Sequence, residues 1–144
     1  MWEKEEIVEM IERNKTLFEN AFVDRKATDN EISKAEEILG FTIPEEYRWY
    51  LKEFGHGGNG FEFMGFGMTG RAIFVDETLE QRKRGLPQNL MVFQDCDEFF
   101  DCINVDDGSV VTWSAFDDAG IIESADCFCC FFYETVENVI INSQ

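Results

Sequence analysis

After Arg84 this 144-residue chain has no lysine or arginine, and it holds only two prolines and one histidine. No apolar run approaches the ~20 residues of a membrane-spanning helix. The opening MWEKEEIVEMIERN lacks the apolar core and small-residue cleavage site of an export signal. No Ser- or Pro-rich linker, low-complexity tract or internal repeat divides the sequence. From these absences neither a membrane span nor a second folding unit is expected. The expectation is one cytoplasmic domain over 1–144, long enough to bury roughly 70% of its unfolded surface. Five cysteines, Cys96, Cys102, Cys127, Cys129 and Cys130, make an odd set without an export signal, and are expected as reduced thiols.

What is present is acid, unevenly spread. Residues 1–90 carry 18 acidic and 12 basic side chains, whereas 91–144 carry 12 acidic and none basic, giving a net charge of -18 for the whole chain. A field of that sign repels nucleic acid and anionic lipid, so neither is expected as a partner. It speeds encounter with a basic protein, although solubility alone also accounts for it.

The apolar pattern changes period along the chain. Ile7, Met10, Ile11, Leu17, Phe18 and Ala21 predict an amphipathic N-terminal helix within 1–26. Thr28 and Glu31 form a capping box ahead of Ile32, Ala35, Ile38 and Leu39, with Gly40 as the stop. Pro44 opens a third helix to about residue 54, with Tyr47, Tyr50, Leu51 and Phe54 on one face. From FEFMGF onward the runs are short, aromatic and β-branched: NLMVFQD, FFDCINV and, after the turn DDG, SVVTWS. VDETLEQRKRGLP between them reads as a short polar helix or turn. Phe128, Phe131, Phe132, Thr135, Val136, Val139 and Ile140 predict a closing helix. Helices, then strands, then a helix make an α+β domain, with helices packed around a mostly antiparallel twisted sheet.

Several constellations resemble chemistry. GFGMTG, residues 65–70, matches the GxGxxG of dinucleotide-binding loops. That loop needs a buried parallel strand before it, and FEFM carries Glu62. A glycine-kinked strand with close backbone packing is the reading adopted, with Gly67→Val expected to cost folding. HGGNG holds His56, the one residue suited to acid–base work near neutral pH; the loop follows a helix C-terminus, where the dipole disfavours phosphate, and reads as a turn into the sheet. DCDEFFD gathers Asp95, Asp97, Glu98 and Asp101 without EF-hand spacing or a nearby cation for phosphate chemistry. It reads as a solvated strand edge or a carboxylate surface for a basic protein. Cys127 and Cys130 have CxxC spacing at a helix start without the turn residues of a zinc knuckle, so a redox or metal role and plain structural thiols both stand. GxSxG, P-loop and HExxH motifs are missing. No catalytic, cofactor or metal residue is assigned, and the chain is not expected to be an enzyme.

The segment EISKAEEILGFTIPEEYRWYLKEFGHGG resembles the opening signature of the SMI1/KNR4, or SUKH, superfamily: a helix ending AExxLG, a Pro-x-x-Tyr helix start and a Gly-Gly loop. Thr78 in VDETLEQRKRGLP, NLMVFQDCDEFF, SVVTWS and CFFYETVENVI follow in the family's order over about 28–142, closest to its bacterial YobK-like branch. The resemblance implies an α+β fold and, in bacteria, an immunity protein that binds and neutralises a cognate polymorphic toxin, often a nuclease. It transfers no catalytic residues. His56-Gly57-Gly58 where an Asn-Gly pair is frequent, and the cysteine-rich last helix, depart from common members.

Charge and resemblance meet, because a nuclease toxin presents Lys and Arg to phosphates. The expected partner is a basic toxin domain. The expected contacts are Asp95, Asp97, Glu98, Asp101, Asp117 and Asp118, with Trp113 and Phe116 as aromatic anchors. The alternatives are a regulatory or scaffold module that binds other proteins, and a small-molecule or nucleotide binder built on GFGMTG and His56.

Overall fold

The structure, a computed structural model, describes residues 4–23, 25–116 and 120–144. The N-terminal segment forms two helices, α1 (Lys4–Arg13) and α2 (Lys15–Phe18). They part at Asn14, whose backbone leaves the helical region and whose side-chain amide donates to the Met10 carbonyl at 2.8 Å. After β1 (Phe22–Val23), α3 (Asp29–Leu39) begins at the Thr28 box: the Glu31 N–H donates to Thr28 Oγ1 at 3.2 Å and the Thr28 N–H to Glu31 Oε1 at 3.0 Å. Gly40 ends it at φ 86°, a left-handed conformation that costs glycine little. Pro44 stands just before α4 (Glu45–Glu53), which buries Tyr47, Tyr50 and Leu51.

β2 (His56–Gly57) pairs with β1, and α5 (Ile73–Arg82) precedes a four-stranded antiparallel sheet in the order β3 (Leu90–Asp95), β4 (Phe100–Asn104), β5 (Val110–Trp113), β6 (Ile122–Ala125). Helix α6 (Phe128–Asn142) closes the chain and packs on α1. The fold is a single α+β unit among the described residues, with its helices around an antiparallel sheet. Leu90 to Gln94 are buried without interruption, so both faces of β3 are covered. The core is built from aromatic rings: Tyr47 lies 4.9 Å from Phe128, Phe63 5.2 Å from Phe93, and Phe132 5.5 Å from Tyr50. The buried stripe of α6 is Phe128, Cys129, Phe132 and Val136, with Phe131 and Val139 at its margin.

Two expectations fail in the middle of the chain. FEFMGF is not a strand: Phe63 and Phe66 make only isolated bridges, to Gly57 and Ala72. The segment is instead tied side-on to the core, where Tyr50 Oη donates to the Phe63 carbonyl at 3.0 Å and Tyr47 Oη to that of Met64. The glycine that packs against backbone is Gly65, not Gly67. A Cβ on Gly65 would lie 1.8 Å from the Gly55 carbonyl oxygen, whereas one on Gly67 meets nothing nearer than an Ile73 side-chain carbon at 3.6 Å. The expectation for Gly67→Val therefore moves to Gly65. The third glycine, Gly70, sits at φ 90° in the turn that leads into α5.

The reduced-thiol reading also fails at one pair. Cys127 and Cys130 are joined as a disulfide, their Cα atoms 5.2 Å apart, within the span such a bond needs. The first turn of α6 sets that separation, which an argument from compartment alone does not see. Cys96, Cys102 and Cys129 are free.

Candidate protein-interaction surface

The register of the sheet decides which acidic residues share a surface. Asp95 pairs with Phe100 and Phe100 with Trp113, while Thr112 pairs with Ile122. The β3–β4 turn (96–99) and the β5–β6 connection (114–121) therefore leave the sheet at the same end. Cys96 to Phe99 form a tight hairpin: the Cys96 N–H donates to the Phe99 carbonyl at 2.9 Å, and the Asp97 N–H to Asp95 Oδ1 at 2.8 Å. Asp97 holds φ 68°, which Asp tolerates better than most residues. Asp95, Asp97 and Glu98 are exposed, as are Phe99, 38% exposed, in the same turn and Phe116, 89% exposed, in the connection that leaves this end of the sheet.

Two of the expected contact residues are not on this surface. Asp101 is 4% exposed; its carboxylate accepts from Gln94 Nε2 at 2.8 Å and from the Cys96 thiol at 3.3 Å. Burial pushes the Asp101 carboxyl above its ordinary range, against the lowering effect of those two hydrogen bonds. The same pocket pushes the Cys96 thiol up to about 12, through burial first and the Asp101 charge second. Trp113 is 7% exposed and packs against Phe100 with ring centroids 6.3 Å apart. Asp101, one position along β4 from Phe100, faces the other side of the sheet from Trp113. For Asp101 the cause is strand phase: a bulge in β3 between Val92 and Gln94 sets Gln94 opposite Asp101, and the hairpin tip reverses the alternation across DCDEFFD. Asp117 and Asp118 lie outside the described residues.

Sequence reasoning missed apolar residues at this end. Ile121 is 48% exposed and Ile122 57%. Two adjacent β-branched residues after Gly120 were the available signal. With Phe99 and Phe116 they give the acidic end of the sheet an apolar component. No carboxylate of residues 91–144 has an ion-pair partner among the described residues, whereas each lysine or arginine found in a salt bridge lies between Lys4 and Lys83.

At the opposite end of the sheet the acids are engaged in turn-making. Asp107 Oδ1 accepts from the Ser109 N–H at 2.9 Å and from its hydroxyl at 2.7 Å, which holds the Asp107 carboxyl below its usual range. Asp106 accepts from Asn89 Nδ2 at 3.0 Å. A depression of about 340 Å³ lies there, lined in part by Glu45, Glu46, Asp107, Asp126 and Cys127. His56 serves structure: its Nδ1 accepts the Gly65 N–H at 2.8 Å, which places the proton of the neutral ring on Nε2, 3.5 Å from Glu62. Among the described residues no three His, Cys, Asp or Glu side chains converge as a metal ion would require. No helix among them is long and apolar enough to cross a membrane.

Comparison with known proteins agrees with this architecture. A crystal structure of a protein from Pseudomonas syringae pv. tomato superposes with a TM-score of 0.62 at 21% identity, covering 81% of this chain and 90% of that one. That likeness is one of fold. The sequence model of the family described as SMI1-KNR4 cell-wall, SUKH_5, matches residues 4–137. The chain is a member of the SMI1/KNR4, or SUKH, superfamily.

Proposed function

We propose that this protein is an immunity protein, which binds a basic toxin domain of the nuclease type through the β3–β4 and β5–β6 end of its sheet and so covers the surface that would meet phosphate. The observation that carries this reading is the exposed set Asp95, Asp97 and Glu98 with Phe99 and Phe116, in a stretch of 54 residues without a lysine or arginine. Carboxylates steer a cationic partner in, and desolvated aromatics hold it. Family membership supports the reading, since SUKH proteins often serve in immunity. It involves no catalysis by this chain and no cofactor.

The test is to express each protein encoded beside this gene in a bacterial host, with and without this chain. One neighbour should arrest growth alone, be tolerated when co-expressed, and form a complex that weakens as salt rises. Reversing Glu98 to Lys should slow association and flatten its salt dependence, leaving the melting temperature nearly unchanged. If no neighbour is neutralised, or if the reversed variant binds with an unaltered salt response, the reading is wrong.

A further inference from the structure

One edge of the sheet has no backbone hydrogen-bond partner among the described residues. On β3 the outward groups are taken: Val92 N–H donates to Thr78 Oγ1 at 3.0 Å and the Phe93 carbonyl accepts from Met64 at 2.8 Å. On β6 one side pairs with β5, and among the described residues no backbone hydrogen bond reaches its other side. Unpaired strand edges are templates for a further strand, and a bulge or a charge on the edge narrows what they accept. Here the ladder is interrupted at Ser124, where the register shifts between Val110 and Val111 opposite Ala125 and Glu123, which leaves Ile122 and Glu123 as the straight run. Ile121 and Ile122 are exposed at its start, with Phe116 in the connection before them.

We infer that β6 receives an extended, Lys- or Arg-bearing segment of the bound protein as a fifth strand of the sheet. This rests on the immunity reading for the identity of the partner and deepens it by naming how the partner docks. Main-chain hydrogen bonds to β6 supply adhesion, and the side chains select. Exposed Glu123 favours a cation in the cross-strand position, exposed Ile122 favours an apolar or β-branched residue, and no lysine or arginine from residue 91 onward repels the newcomer. The occupant is therefore a strand alternating basic and apolar residues. A second copy of this chain fits worse, since pairing two β6 strands brings Glu123 of each close to the other in a molecule of net charge -18.

The probe is a short peptide alternating Lys and Val, set against an alanine-rich, helix-forming peptide of the same charge, with backbone amide exchange of the intact protein followed by NMR. The alternating peptide should slow exchange at residues 121–124 about tenfold, and Ile122→Lys should weaken its binding about tenfold, by setting a charge in place of the apolar partner of the peptide's Val. Glu123→Lys should shift preference to a peptide alternating Glu and Val. Strand addition is overturned if both peptides perturb the protein alike, if protection falls only on 96–99, if neither binds at millimolar concentration, or if the free protein sediments as a dimer that masks β6. The growth-rescue experiment fails or succeeds independently. Rescue that survives Ile122→Lys, without protection at 121–124, removes the docking mode and leaves the immunity reading. Failure to find any neutralised toxin removes the reading, whatever the peptides do.

Discussion

Along the β3 edge of the sheet, Thr78 and the segment 61–66 take up the outward backbone groups, and that segment is pinned by two buried tyrosines, by His56 and by the contact of Gly65 with Gly55. Along the β6 edge there is a bulge, a glutamate and exposed isoleucines. The first edge is tied into the aromatic core, so changes there act on folding. The second pairs with β5 on one side only and is mostly exposed, so changes there should cost little folding energy. On the docking mode proposed above, stability and recognition lie on opposite edges of a sheet only four strands wide.

Substitutions along the two edges test that separation. The largest effect is expected at Gly65→Ala, where the added carbon meets backbone with no flexible side chain to give way. It should cost about 3 kcal/mol, or roughly 10 °C in melting temperature. Gly67→Ala, two residues on, should stay within about 0.5 kcal/mol, and equal effects at the two glycines would show that the 61–66 segment is not pinned as described. Next comes Thr78→Val, which keeps shape but removes the acceptor of the Val92 N–H and the donor to the Phe74 carbonyl at 2.8 Å. A buried amide left unpaired should cost about 1–3 kcal/mol, read by chemical denaturation.

A smaller effect, visible only against pH, is expected at Asp101→Asn. The folded Asp101 carboxyl has a raised pKa, so the native state holds the proton more tightly than the unfolded chain. This residue's contribution to stability therefore falls as pH rises from its unfolded value near 3.8 through its folded value, and is level above that. The difference in unfolding free energy between Asp101→Asn and the parent should shift in the variant's favour over that window. Taking the difference cancels the opposite slopes of Asp29, Glu31 and Asp107, whose folded values are lowered. A difference that does not change with pH would mean that Asp101 is not desolvated. Smallest of all should be Ile122→Thr, within about 0.5 kcal/mol for a half-exposed edge position. A loss beyond about 2 kcal/mol would place Ile122 in the core and remove the contrast between the edges.

Much of this fold is legible in the sequence wherever a local rule and the tertiary outcome coincide. The Thr28–Glu31 box, Gly40 as a left-handed stop, and the stripe of α6 depend on neighbours three or four residues away. Strands β3, β4 and β5 announce themselves by apolar β-branched runs. Strand β6 does not, because IESA is mostly exposed and owes its form to pairing with β5. FEFMGF misleads in the other direction, since its alternation suits a strand but its backbone partners are tyrosine hydroxyls and the outer side of β3. The candidate surface was half legible. Asp95, Asp97, Glu98 and Phe116 are exposed, whereas the burial of Asp101 follows from a bulge and a hairpin tip that set strand phase at long range, and that of Trp113 from its pairing with Phe100.

The amino end of α6 is completed from elsewhere in the chain. The Cys129 N–H donates to Glu46 Oε1 at 2.8 Å, across 83 positions of sequence, and the Cys130 N–H to the sulfur of Cys127 at 3.1 Å. Phe128 and Phe132, from the next turn, close the ring cluster around Tyr47, Tyr50 and Phe63. During synthesis the tyrosines emerge well before the rings that cover them. The order of folding is thereby constrained: contacts of such separation close late, so the aromatic core stays open to solvent and to chaperones until the last helix docks.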